Sequence, residues 1–95
     1  MDMKKKYIII FDGDIKIPVI FDTWKNHIDV AREHCYQTEK VVISAGFVLL
    51  DEDINEIKAA GRSDSLGIPS HPNDTDIIKQ WIISNDKVKD LPFII

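Results

Sequence analysis

Cysteine is nearly absent from this sequence: Cys35 is the single thiol in 95 residues. No disulfide can form within one chain, which gives no support for a secreted, bridge-stapled scaffold and fits a reducing cytoplasm. Long apolar runs are missing as well. The first, YIIIF after Lys4, Lys5 and Lys6, reaches Asp12 after five residues, too short for a signal peptide or a membrane span. Arginine is scarce and the formal net charge is -4, so no basic stripe is available for phosphate backbones. The lysine run reads as a solvated flank that keeps a sticky first strand soluble. Neither a nucleic acid nor a membrane is therefore an expected partner.

What is present suits one small domain. A chain of this length buries somewhat over ~60% of its unfolded surface, enough for a core with a thin margin. Two apolar segments, YIIIF and IKIPVIF, flank Asp12-Gly13, a pair suited to the positive φ angles of a tight hairpin. Pro18 cannot donate a ladder hydrogen bond, so the second strand is expected to be an edge strand or irregular there. A first helix is predicted from Asp22 or Thr23 to about Tyr36, with Trp24, Ile28, Ala31 and Cys35 as its core stripe. KVVISAGFVLL then reads as a strand that is apolar on both alternating faces, and EIKAAG as its return. A second helix starts near Asn73, where Asn73 and Asp76 resemble a capping box, and Ile77, Ile78, Trp81 and Ile82 form its buried stripe.

The expected fold is α+β in ββαββα order, a mostly antiparallel four-stranded sheet with two helices on one face. Residues 1–86 form the domain and 87–95 an apolar tail, docked on the domain or on a neighbour. With both helices on one face, the other apolar face needs a cover. This predicts a homo-oligomer, a dimer first, or contact with another protein, through Val42, Val48, Leu50, Phe93, Ile94 and Ile95.

The stretch AAGRSDSLGIPSHPNDTD carries the second expectation. Arg62, Ser63, Ser65, Ser70 and His71 precede a helix N-terminus and could hold a small anionic or nucleotide-like ligand. Neither phosphate-loop motif is present, and Asp64, Asp74 and Asp76 would repel an anion. The alternative is a local turn, with Gly61 at a bulge and the serines bonding nearby backbone.

Other constellations are poorer. His27 and His34 lie two helical turns apart, too far to share a metal, and read as surface or half-buried. Cys35 reads as a buried structural thiol. Asp12, Asp14, Asp51, Glu52 and Asp53 fall in two turns that could share one end of the sheet, without calcium-loop spacing. No nucleophile, base and orienting group occur together, and no cofactor or metal is expected. The leading expectation is thus a cytoplasmic, non-enzymatic interaction module. Its lysine- and isoleucine-rich composition suits an AT-rich genome, as in many small accessory proteins of bacteria and phages.

Overall fold

The computed structural model describes residues 3–51 and 56–84. Strands β1 (Met3–Asp12) and β2 (Ile15–Phe21) form an antiparallel hairpin with Asp12 opposite Ile15. The central turn residues are therefore Gly13 and Asp14, one position later than the Asp-Gly pairing expected. Only Gly13 takes positive φ, at 72°, where a Cβ is disfavoured. β2 is an edge strand, as Pro18 requires.

Helix α1 (His27–Cys35) begins later than the sequence reading placed it. The Asp22 carboxylate accepts from the Lys5 ammonium and the Trp24 indole N–H rather than from helix amides. Residues 22–25 close a turn instead, with Lys25 N–H donating to Asp22 O at 3.1 Å. The cap comes from a distant loop: the Ile28 N–H donates to Ser65 Oγ at 3.3 Å.

Next come β3 (Val41–Asp51), β4 (Glu56–Ala60), the short pair β5 (Arg62–Ser63) and β6 (Ile68–Pro69), and α2 (Asp74–Ser84). The main sheet has order β2-β1-β3-β4 and every pairing is antiparallel. The α+β class, the element order and the four-stranded sheet are as expected. β5 and β6 add a small separate ladder.

The placement of the helices differs from the expected single face. Successive β1 side chains point to opposite faces. Tyr7 and Ile9 pack with Val48, Ile57, Ile78 and Ile82, under α2. Ile8 and Ile10 pack with Phe21, Val30, Ala31 and Ala45, under α1. The helices thus lie on opposite faces, and a strand apolar on both sides is covered on both. α2 touches both edge strands, β2 and β4, because the sheet curls around it. On α1's side, Leu66 and Ile68 of the β5–β6 hairpin complete the cover. A register shift beside Ile9 and Ile10 aims both Ile43 and Ser44 toward α2.

β3 starts beside Phe11 and ends beside Met3. Asp12 and Asp51 therefore stand at opposite ends of the sheet and do not converge, while Glu52 and Asp53 fall outside the described residues. Among the described residues no cluster of three metal-ligating side chains occurs, and no helix is long and apolar enough to cross a membrane.

Candidate functional site

The hydroxyls of the Gly61–His71 segment are directed mainly at the protein itself. Gly61, at φ 86°, turns the chain from β4 into β5. Ser63 is buried; its Oγ accepts from Leu66 N–H at 3.1 Å, and its carbonyl accepts from Gly67 N–H at 2.8 Å. Ser65 caps α1. Arg62 is exposed and faces Asp64 at 3.4 Å. These three residues therefore build a hairpin and a helix cap, which is the local-turn alternative. Ser70 N–H closes the segment by donating to Gly61 O at 3.0 Å.

His71 belongs to a different cluster, which the sequence did not reveal. Asp74, in the first turn of α2, is 2% exposed. One of its oxygens accepts from the Tyr7 hydroxyl and from His71 N–H at 2.9 Å, the other from the Ser44 hydroxyl at 3.0 Å. The His71–Asp74 bond closes the turn that leads into α2. The His71 ring donates from Nε2 to Ile43 O at 3.1 Å, the only role open to a nitrogen facing a carbonyl. Burial pushes the Tyr7 phenol far above its usual range; its bond to Asp74 and that carboxylate's charge add to this, while Ser70 opposes. A shallow pocket of about 310 Å³ opens here, lined by Lys16, Ile43, Ser44, His71, Asn73, Asp74 and Ile77. Three protons converging on one carboxylate tie β1, β3 and α2 together.

The residues expected at an interface lie inward where they are described. Val48 is fully buried beneath α2, and Val42 is half-buried on the α1 side. The Leu50 side chain, Phe93, Ile94 and Ile95, with the rest of the 87–95 tail, fall outside the described residues.

The surface instead presents a residue assigned to the core. Trp24 sits in the loop between β2 and α1 and is 75% exposed. Its indole N–H donates to Asp22 at 3.2 Å, and the Lys25 ammonium lies 5.5 Å from its ring centre. The Lys5 ammonium holds the Asp22 carboxyl below its usual pKa range, and Lys6 donates to the Lys25 carbonyl at 2.8 Å. Trp24 is thereby fixed rather than buried. Beside it runs a groove of about 400 Å³ along β2, lined by Val19, Phe21 and Val30, with Glu33 and His34 of α1 on one wall. Helical periodicity alone placed Trp24 in a stripe. The signal that could have exposed it was Asp22, one residue before a second capping candidate and in reach of a lysine across the hairpin.

The other edge of the sheet is closed. Ala59 N–H, on β4, donates to Thr75 Oγ1 of α2 at 2.9 Å, and Lys79 pairs with Glu56 at 3.1 Å. Compared with known proteins, the chain matches no family model, and no curated protein or solved structure is significantly similar to it, so its function is read from this geometry.

Proposed function

We propose that this protein is a non-enzymatic interaction module that acts through protein contact, with the Trp24 groove as its working surface and a second copy of the chain as the occupant. The observation that carries this reading is Trp24 itself, three-quarters exposed yet held by Asp22 and Lys25 above an apolar groove. A large aromatic side chain already fixed in place loses little entropy on binding, which is why such residues anchor interfaces. Charge favours self-association here. Each chain carries a net -4, so two random faces repel. Around the groove, Lys5, Lys6 and Lys25 offset Asp22 and Glu33, and a two-fold contact can form with little like-charge repulsion. Pro18 interrupts the outer edge of β2, so the contact relies on side chains more than on a continued ladder.

The reading in which Arg62, Ser63, Ser65, Ser70 and His71 hold an anion has less support, because Ser63 and Ser65 are committed to the hairpin and the α1 cap. The test is sedimentation velocity at micromolar to tens of micromolar concentration, with native mass spectra of the same sample. The wild type is expected to dimerise without retained small molecules. Trp24→Ser should weaken the dimer by at least about tenfold while leaving the folded structure intact by circular dichroism, since an interface aromatic of this kind contributes ~2 kcal/mol or more. A wild-type monomer at tens of micromolar would refute the proposal.

A further inference from the structure

His27, the first residue of α1, is 5% exposed and lies between two rings. The Phe21 and Phe47 centroids are 5.5 and 5.7 Å away, at interplanar angles of 81° and 89°. Its Nε2 is 2.8 Å from the Gly46 carbonyl, which can only accept, so Nε2 carries the hydrogen. That carbonyl is firmly placed: a Cβ on Gly46 would meet Ala60 O at 2.5 Å, so only glycine fits between β3 and β4 here. One hydrogen bond and two edge-on aromatic contacts thus join the start of α1 to the sheet.

A second proton on this ring would be poorly received. It would put a cation at the positive end of a helix. Lys6 of β1 faces the ring, and Lys4 of the same strand lies 4.2 Å from the Phe47 ring centre. From the β5–β6 turn the opposing charge is Asp64, almost fully exposed and shared with Arg62. From the loop before α1, Lys25 presents its carbonyl to Lys6 and its ammonium to Trp24. Phe21 of β2 and Phe47 of β3 add no charge.

We propose that His27 is an acid-released latch: binding a proton at Nδ1 frees α1 from the sheet, removes one wall of the Trp24 groove and dissociates the dimer. The last step rests on the groove being the dimer contact; the release of α1 does not. Burial lowers the imidazole's pKa; the Gly46 hydrogen bond opposes, Lys6 lowers it further, and Asp64 opposes. A depressed value means that the closed state disfavours the proton. The latch is then fully effective above the free imidazole's pKa of about 6.5. As pH falls below this, opening rises by up to about tenfold per unit until the closed state itself protonates.

The test is amide hydrogen exchange between pH 7.5 and 5, corrected for the intrinsic rate, with sedimentation on the same samples and a histidine NMR titration. The wild type should lose protection at Val30 and Ala31 by up to tenfold per pH unit, with these α1 amides exchanging faster than those of Ile8 and Val48 at every pH. His27→Gln, which retains an N–H donor for Gly46 O, should show no pH dependence. His34→Gln should keep the wild type's pH-dependent loss of protection in α1. Flat α1 protection in the wild type, a His27 ring that titrates at its ordinary value, or α1 amides that exchange no faster than those of the sheet would overturn the latch. Should His27→Gln not fold, the wild-type titration and exchange decide alone. A monomer at neutral pH with α1 still released by acid would leave the latch intact and refute the dimer, whereas a dimer unaffected by α1 release would refute the coupling between them.

Discussion

Asp74 shows how one side chain can fix the meeting of three elements. Its carboxylate is buried and receives protons from Tyr7, Ser44 and the His71 backbone. Removing one donor costs a charge-assisted hydrogen bond, so Tyr7→Phe should lose about 1.5–3 kcal/mol in urea unfolding. Asp74→Ala should cost more, on the order of 3 kcal/mol or above, because it leaves several buried donors without an acceptor. A smaller loss for Asp74→Ala than for Tyr7→Phe would show that the carboxylate is not the hub. Gly46 is the second constrained residue. Gly46→Ala brings a methyl against the Ala60 carbonyl, which is backbone and cannot swing away. The expected loss is about 1–3 kcal/mol, as for an overpacked core.

At the scale of elements, the β5–β6 hairpin supports α1 by lending it a cap. Ser65→Ala should destabilise the protein by about 1 kcal/mol, the usual worth of a helix cap, even though Ser65 lies 37 residues from the amide it serves. Arg62→Ala, which breaks only an exposed pair with Asp64, should change stability by less than about 0.5 kcal/mol. Equal losses in chemical denaturation would mean that Arg62 holds something beyond the hairpin. The two edges of the sheet also differ in kind. β4 is closed by Thr75 and Lys79 of α2, whereas β2 is left with a proline and the Trp24 groove, so a contact with another chain is best accommodated at β2.

For the whole molecule, two buried rings bound the range of pH over which the fold is most stable. His27, depressed by burial, contributes stability that is complete above about pH 6.5 and declines in acid. Tyr7 is raised, chiefly by burial, so the folded state keeps its proton while the unfolded chain releases it near pH 10; stability is full below that value and falls above it. Urea midpoints measured from pH 5 to 11 should therefore form a plateau with two falling arms. Tyr7→Phe should flatten the alkaline arm and His27→Gln the acid arm. A profile in which either variant keeps the wild-type shape would remove that ring as the cause.

Much of the fold could be read locally. The alternation in Tyr7–Phe11 and Ile15–Phe21, the doubly apolar KVVISAGFVLL and the Ile77, Ile78, Trp81, Ile82 stripe each carry the period of the element they form, because that period is set by backbone geometry within a few residues. What local pattern could not supply was the side of the sheet on which each helix lies, since either face of β1 offers the same isoleucines. Nor could it show that Asp22 would turn to Lys5 and leave Trp24 outside, that Ser65 would cap a helix far back in the chain, or that Asp74 would meet Tyr7 across 67 residues. Sequence alone therefore determined the class and order of the elements, whose causes are short-range. Tertiary structure decided the covered faces, the exposed tryptophan and the histidine latch, because each depends on which polar groups meet once the sheet has closed around α2.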